Sequence, residues 1–351
     1  MFDKSTWIKL PRNVVVGHGV LDQVGAAVGD LYLSGQPLLV TSPTPERLAG
    51  DRLRAQFDVE PHTVTVETAS FASVEAVADT ASAEGTDYII ALGGGKAIDV
   101  AKMAAERVDC GFVSVPTVAS HDGIVSGRSS IPEGDTRHSV AADPPLAVVA
   151  DTELLAEAPW ELTTAGCADI ISNYTAVKDW QLAHRLKNVE YSEYAGALSQ
   201  MTAEMLVDSA DSIKPNLEES AWVVVKALVS SGVAMSIAGS SRPASGAEHL
   251  FSHQLDRLVP NTALHGHQVG VGSIMTEYLH SGEKGQWRNI RDALERIDAP
   301  TTAAELDIEA ETVVEALTTA HTIRDRYTIL GDGVSEDAAR EVARVTGVIG
   351  D

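Results

Sequence analysis

The sequence predicts an α/β protein: a mostly parallel sheet covered by helices over residues 1–158, then an all-helical domain over 159–351. Three observations carry this reading. Short β-rich runs alternate with helical segments through about residue 150, as they do where parallel strands are joined by helical crossovers. The strand runs are almost continuously apolar, which is how strands read when helices cover both faces of their sheet. Strand signals then stop near Glu161, and the rest has helical spacing. A chain of 351 residues is also more than one core comfortably covers.

Taken in order, "NVVVG" is a strand followed by a helical "VLDQVGAAVGDL", and "PLLVT" a strand followed by "PERLAGDRLRAQF". "HTVTVE" precedes a helical "ASVEAVADTASAEG", and "YIIAL" precedes "KAIDVAKMAAERV". "FVSVPT" and "LAVVAD" complete the strands. The helical part opens with "ELTTAGCADIISNYTAVKDWQLAHRL", "YSEYAGALSQMTAEMLVDSAD" and "EESAWVVVKALVSSGVAMSIAG". No internal repeat or low-complexity tract interrupts the pattern.

Composition excludes several function classes. Fifty Asp and Glu against 26 Lys and Arg give a net charge of -24, which repels nucleic acid and anionic lipid in the absence of a local basic patch. Acids spread along the whole chain fit a surface adapted to concentrated salt, where screening removes the self-repulsion. The two cysteines, Cys110 and Cys167, make neither a disulfide framework nor a cysteine zinc site, and read as small core residues in a reducing interior. The start "MFDKSTWIKLPRN" has no signal-peptide run. Stretches such as "WVVVKALV" fall short of the roughly 20 apolar residues of a membrane span. A soluble, cytoplasmic protein without an integral membrane segment is expected.

Chemistry concentrates in three places. Gly93, Gly94 and Gly95 follow a buried-type strand and open a helix, a Rossmann-like arrangement that presents free backbone N–H groups and a helix dipole to a phosphate. Two stricter templates fail: there is no G-x-G-x-x-G, and Ala97 follows Lys96 where a P-loop has Ser or Thr. The next strand runs into "PTVASHDGIVSGRSS", at the sheet end where open α/β folds bind ligands. It offers Thr117, Ser120 and Ser126 as hydroxyls and Asp122 as a carboxylate. Finally, "HLFSHQLDRLVPNTALHGH" holds four of the eleven histidines. His249 and His253 share a helix face, and His265 begins a Gly-containing turn into another helix. Two imidazoles and one carboxylate suit Zn²⁺ or Fe²⁺ with a position open to substrate. The best carboxylate is Asp169, in the apolar and small stretch "TAGCADIIS", where an unpaired charge is expensive. The competing reading, that Asp169 caps a helix and the histidines are satisfied separately, stays open on these residues alone.

The strings "GGGKAIDVAK", "SVPTVASHDGIVSGRSS", "GCADIISNYTAVKDW", "SGAEHLFSHQLD" and "LHGHQVGVG", in that order, closely resemble the sn-glycerol-1-phosphate dehydrogenases. These belong to the superfamily of iron-containing alcohol dehydrogenases, glycerol dehydrogenases and dehydroquinate synthases. Lys96 stands where glycerol and iron-type alcohol dehydrogenases usually have Ser, and Asp169 where dehydroquinate synthases have Glu. The resemblance implies a dehydroquinate synthase-like fold and one zinc per chain on Asp169, His249 and His265. It also implies NAD(H) or NADP(H) contacts from Gly93, Gly94, Gly95, Lys96, Ala97, Ile98, Asp99, Thr117, Val118, Ala119, Ser120 and Ser126. Asp122, Asp169 and His253 would face the substrate, with His253 the proton donor and catalytic parts for Asp122 and Asp169; His267 would not be a ligand. The implied reaction reduces dihydroxyacetone phosphate to sn-glycerol 1-phosphate for archaeal ether phospholipid synthesis, in a homo-oligomer, with a glycerol dehydrogenase or related metal-dependent polyol dehydrogenase as the alternative. For the substrate phosphate Arg242 is a candidate, against the plainer reading of a loop arginine. The second strand ends "VTSPTPERL", with Thr41 and Ser42 where NAD-selective folds carry an acid. Both cofactors are therefore expected to be used, with Arg47 a candidate partner for a 2′-phosphate.

Overall fold

The computed structural model describes residues 6–133, 136–260 and 262–350, with the side chains of 133 and 136–138 left aside. Eight strands are present among them: β1 (Asn13–Gly17), β2 (Pro37–Thr41), β3 (His62–Thr65), β4 (Tyr88–Gly93), β5 (Gly111–Pro116), β6 (Arg128–Glu133), β7 (Thr136–Ala141) and β8 (Ala147–Asp151). Six form one sheet in the order β1-β8-β5-β4-β2-β3, and every pair in it is parallel. Central β4, "YIIALG", is buried at every position, which is why it reads as an unbroken apolar run. Edge strand β3 is largely exposed and alternates Thr with Val.

The chain passes from β2 outward to β3, returns to the other side of β2 as β4, and continues through β5. Neighbours whose onward connections diverge leave a crevice at their carboxyl ends, the ligand position of open α/β sheets. Gly93 ends β4 at that crevice. Helices α1 (Val24–Asp30), α2 (Phe71–Ala83) and α3 (Gly95–Val108) lead into β2, β4 and β5, and a helical segment over residues 43–54 joins β2 to β3.

The last sheet strand ends at Asp151, and from Trp160 the fold is helical: α4 (Trp160–Lys187), α5 (Glu193–Ser209), α6 (Glu218–Ala238), α7 (Ala247–Leu258), α8 (His265–Ser281), α9 (Trp287–Arg296), α10 (Ala310–Thr319) and α11 (Glu336–Val345). The 28-residue α4 stops at Asn188, which adopts the left-handed conformation (φ +53°) that Asn tolerates past a helix end. Asp179 on α4 fixes two later segments. Its carboxylate accepts from the Ala247 N–H (2.7 Å), the Ile329 N–H (2.6 Å) and His280 Nε2 (3.0 Å).

Two sequence expectations change. The segment after β5 is not wholly irregular, because its end pairs as the antiparallel hairpin β6–β7; "RSSIPE" and "TRHSVA" are too polar to signal strands, and only their pairing reveals them. One helix, α6, is long and apolar enough by length and composition to cross a membrane, contrary to the expectation. Half of its apolar window is buried in protein, and Gly232 on it lies against Val125 and the Ser126 backbone, so the fold uses it as a core helix. Cys167 is a core residue as expected, whereas Cys110 is only half-buried. Burial pushes both thiols up, to about 12 and about 11 respectively.

Candidate metal and dinucleotide site

Gly94 precedes α3 with no side-chain cap, so the first-turn N–H groups of that helix point into the crevice without a side-chain acceptor. The glycines are required by close approach. A Cβ on Gly94 would sit 2.8 Å from Val118 Cγ2, and one on Gly95 2.4 Å from His121 Nε2. A Cβ on Gly93 would meet Ala97 Cβ at 2.9 Å, with Ser42 Oγ 3.8 Å away. The Thr117 N–H donates to the Gly93 carbonyl (3.0 Å), tying the loop after β5 to this turn. A cleft follows, bordered by Gly95, Lys96, Asp99 and Ser120 on the sheet side and by Ala165, His265 and Gly266 on the helical side.

Not every residue expected at the dinucleotide faces it equally. Ala97 and Ile98 have no exposed side-chain surface and belong to the core, so only their backbone is available to a ligand. Ala119 is also buried. Asp99 is engaged structurally: its Oδ2 accepts from the Ser130 N–H (3.1 Å), and Oδ1 lies 3.6 Å from Lys102 Nζ. Ser126 is fully buried and borders a second cleft with Asp122 and Asp169, not the glycine end. Ser42 and Arg47 follow β2; Arg47 is exposed. Glu67, which the sequence did not single out, borders the dinucleotide-side cleft.

The second cleft brings together Asp122, Asp169, His249, His253 and His265. Asp169 comes from α4, His249 and His253 from α7, and His265 begins α8. One donor atom each from Asp169, His249 and His265 lie within 4.8 Å of one another, and His249 Nε2 is 3.5 Å from Asp169 Oδ1. The ring of His253 stacks beside that of His265 at 5.6 Å.

The histidines are held from behind. His249 Nδ1 is 2.9 Å from Glu248 Oε1, and Glu248, fully buried, also accepts from Thr175 Oγ1 (2.9 Å) and the Gly246 N–H (2.5 Å). His265 Nδ1 is 2.9 Å from Ser252 Oγ, which donates to Gln268 Oε1 (2.6 Å); Gln268 Nε2 in turn donates to Asp256 Oδ1 (3.1 Å). Both rings therefore commit Nδ1 outward and leave Nε2 for the centre, the arrangement that orients metal-bound histidines. With its donor types, this set fits a divalent zinc or iron ion. Burial works against charge on His249, but the hydrogen bonds from Asp169 and Glu248 outweigh it and raise its pKa to about 9. Without an ion the carboxylates thus hold a proton there, and a metal must displace it.

Asp122 stands beside this centre. Its N–H donates to Asp169 Oδ2 (3.4 Å), and its Oδ2 accepts from Ser231 Oγ (2.8 Å), itself bonded by Asn173 Nδ2 (3.0 Å). Burial, then the charge of Asp169, pushes Asp122 up to about 6. His267 points away from the centre to Thr164 Oγ1 (2.8 Å), and burial lowers it to about 4. Sequence reasoning missed Glu248, Ser252, Gln268 and Lys102. The only signals were their offsets from the histidines and, for Lys102, a cation on an otherwise apolar helix face. Lys102 is fully buried and donates to the Gly123 and Arg128 carbonyls (2.7 and 2.5 Å).

Residues 15–159 match the family model described as iron-containing alcohol dehydrogenase. The chain is 76% identical over 349 residues to the glycerol-1-phosphate dehydrogenase [NAD(P)+] of Halorubrum lacusprofundi, covering 99% of each. It is 55% identical over 353 residues to the protein of that name from Methanococcoides burtonii, covering 99% of this chain and 98% of the relative. Among solved structures, a probable glycerol dehydrogenase from Sinorhizobium meliloti superposes with a TM-score of 0.80 at 20% identity, over 97% of this chain and 98% of that one. A sulfoacetaldehyde reductase from Bifidobacterium kashiwanohense, in complex with NAD+, gives 0.76 at 16% identity over 96% and 98%. At those identities the two structures speak to the fold alone.

Proposed function

The chain belongs to the glycerol-1-phosphate dehydrogenase family of the iron-containing alcohol dehydrogenases, and on that premise we propose that it reduces dihydroxyacetone phosphate to sn-glycerol 1-phosphate with NADH or NADPH. The metal is zinc, held by Asp169, His249 and His265, and the product feeds ether phospholipid synthesis in the cytoplasm. Residues 1–158 are the dinucleotide-binding part and 159–351 the metal- and substrate-binding part. The observation that carries the reading is the convergence of three ligand-type donors across one cleft wall from a glycine-flanked helix N-terminus.

When bound, the ion supplies Lewis acidity toward a carbonyl oxygen and the reduced nicotinamide supplies hydride. The protein does the rest. The α3 N-terminus and the Gly93–Gly95 turn bind the pyrophosphate through backbone N–H groups. Asp122, held by Ser231, orients the substrate hydroxyls. Reduction leaves an oxygen that needs a proton, and the His253 imidazole, stacked beside His265, donates it.

The residue directly after β2 is Ser42, not a carboxylate that would repel a 2′-phosphate. Steady-state assays with dihydroxyacetone phosphate and each reduced cofactor test the reading. Turnover with both is expected; a preference for NADH above roughly a thousandfold, some 4 kcal/mol, would reveal an excluding group. Faster turnover of free dihydroxyacetone than of its phosphate would overturn the substrate assignment.

A further inference from the structure

The metal cleft carries cations that the chemistry above does not use. Arg128 on β6 and Arg324, between α10 and α11, border it together with Ser241 and Ser245. Arg242 and Arg326 belong to the same cluster. Burial first, then the charges of Arg324 and Arg242, pushes Arg326 down to about 9, and burial followed by Arg128 and Arg242 lowers Arg324.

Their partners are neutral. Arg326 donates to the Ser245 carbonyl and to Ser241 Oγ (2.9 Å). Arg324 Nη2 donates to Ser245 Oγ (3.2 Å), and its buried Nε has no hydrogen-bond partner. Among the described residues none of the four arginines forms an ion pair with a carboxylate. This chain has 24 more acids than bases, so carboxylate partners were plentiful. Gathering like charges in a partly desolvated wall without one is costly unless an anion completes the site. The planar fork of arginine suits a phosphate.

The cluster is also fixed relative to the metal donors. Asp179 holds the Ala247 N–H at the start of α7 and the Ile329 N–H just past Arg326, so the segment carrying Arg324 and Arg326 and the helix carrying His249 are tied to one carboxylate. We propose that Arg324, with Arg128, Arg242 and Arg326, forms the anchor for the phosphate group of the substrate, opposite the end at which the carbonyl meets the metal centre. The proposal rests on the reading that the substrate is a phosphorylated triose, and it extends the role considered for Arg242 to a set that the sequence scatters over 199 positions.

The test uses metal-loaded protein at constant KCl. Calorimetric titration with inorganic phosphate should show binding that weakens at least about tenfold, or roughly 1.4 kcal/mol, in Arg324→Gln and Arg326→Gln. The Arg340→Gln protein should match the wild type, because that exposed arginine pairs with Glu311 and Glu336 and none of the three borders the cleft. In parallel, the ratio of kcat/KM for dihydroxyacetone phosphate to that for dihydroxyacetone should fall about a hundredfold in the cleft variants. Should Gln at 324 unfold the protein, Arg324→Lys keeps the charge but not the fork, and should still weaken phosphate several-fold. Phosphate binding equal to wild type in the folded cleft variants, or equally weakened in Arg340→Gln, overturns the proposal. A wild type that binds phosphate through these arginines yet turns over free dihydroxyacetone faster would refute the proposed substrate while leaving the anchor standing.

Discussion

At the scale of single residues, Ser252 decides which nitrogen of His265 faces the metal position. The Gln268 amide N–H donates to the Asp256 carboxylate, so Gln268 Oε1 is turned to Ser252 and accepts its hydroxyl proton. Ser252 Oγ is then left to accept from His265 Nδ1–H, which puts the Nε2 lone pair toward Asp169. Losing such a support typically costs 10–100-fold in metal affinity. Ser252→Ala is therefore expected to bind zinc about 10–100-fold more weakly in a chelator competition, and Ser252→Thr to stay close to wild type. His265→Ala should lose the metal outright; full zinc retention in that protein would remove His265 from the ligand set. Asp169, His249 and His265 were legible because ligand chemistry narrows residue type strongly. Glu248, Ser252 and Gln268 were not, since an outer hydrogen bond depends on rotamers that no spacing rule fixes.

At the scale of elements, the site exists because three backbones come unusually close. A Cβ on Gly166 of α4 would lie 1.9 Å from the Ala119 carbonyl oxygen, and one on Gly266 of α8 would lie 2.0 Å from the Ala165 carbonyl oxygen. These contacts are with main chain, which cannot rotate away as a side chain can. Gly166→Ala must therefore push the 119–122 loop off α4, moving Asp122 relative to Asp169 and Ser120 relative to the glycine turn. Overpacking of this kind costs about 1–3 kcal/mol, whereas misplacing reacting groups by an ångström costs about 10²-fold in rate. The variant should fold with a reduced melting temperature but lose activity disproportionately. Retained kcat in a protein destabilised to that extent would show that the close crossing serves packing alone. The sequence displays "TAGCAD" and "HGH" as small-residue strings, and the strands and helices around them follow from periodicity. What meets each glycine is a tertiary fact, as is the β6–β7 hairpin that carries Arg128 into the cleft.

At the scale of the whole molecule, charge is distributed unevenly: a net -24 overall, yet an arginine cluster without described carboxylate partners at the metal cleft. Salt must act on these two populations with opposite consequences. At 0.01 M the Debye length is about 30 Å, so surface carboxylates repel one another across much of the protein; at 1 M it is about 3 Å and that repulsion is nearly gone. The folded state, which crowds the acids, gains more from screening than the unfolded chain does. The melting temperature should therefore rise steadily between 0.05 and 3 M KCl, in keeping with relatives from halophilic archaea. Over the same range the KM for a phosphorylated substrate should rise, because screening also weakens the attraction between phosphate and the half-buried arginines, although less than for exposed charges. Donors around the metal are buried or half-buried and should hold the ion throughout. Melts and KM measurements on one salt series separate these effects. A flat or falling melting temperature would remove the salt-adapted reading of the surface and leave the catalytic one intact, whereas a KM indifferent to salt would place the phosphate away from the arginines.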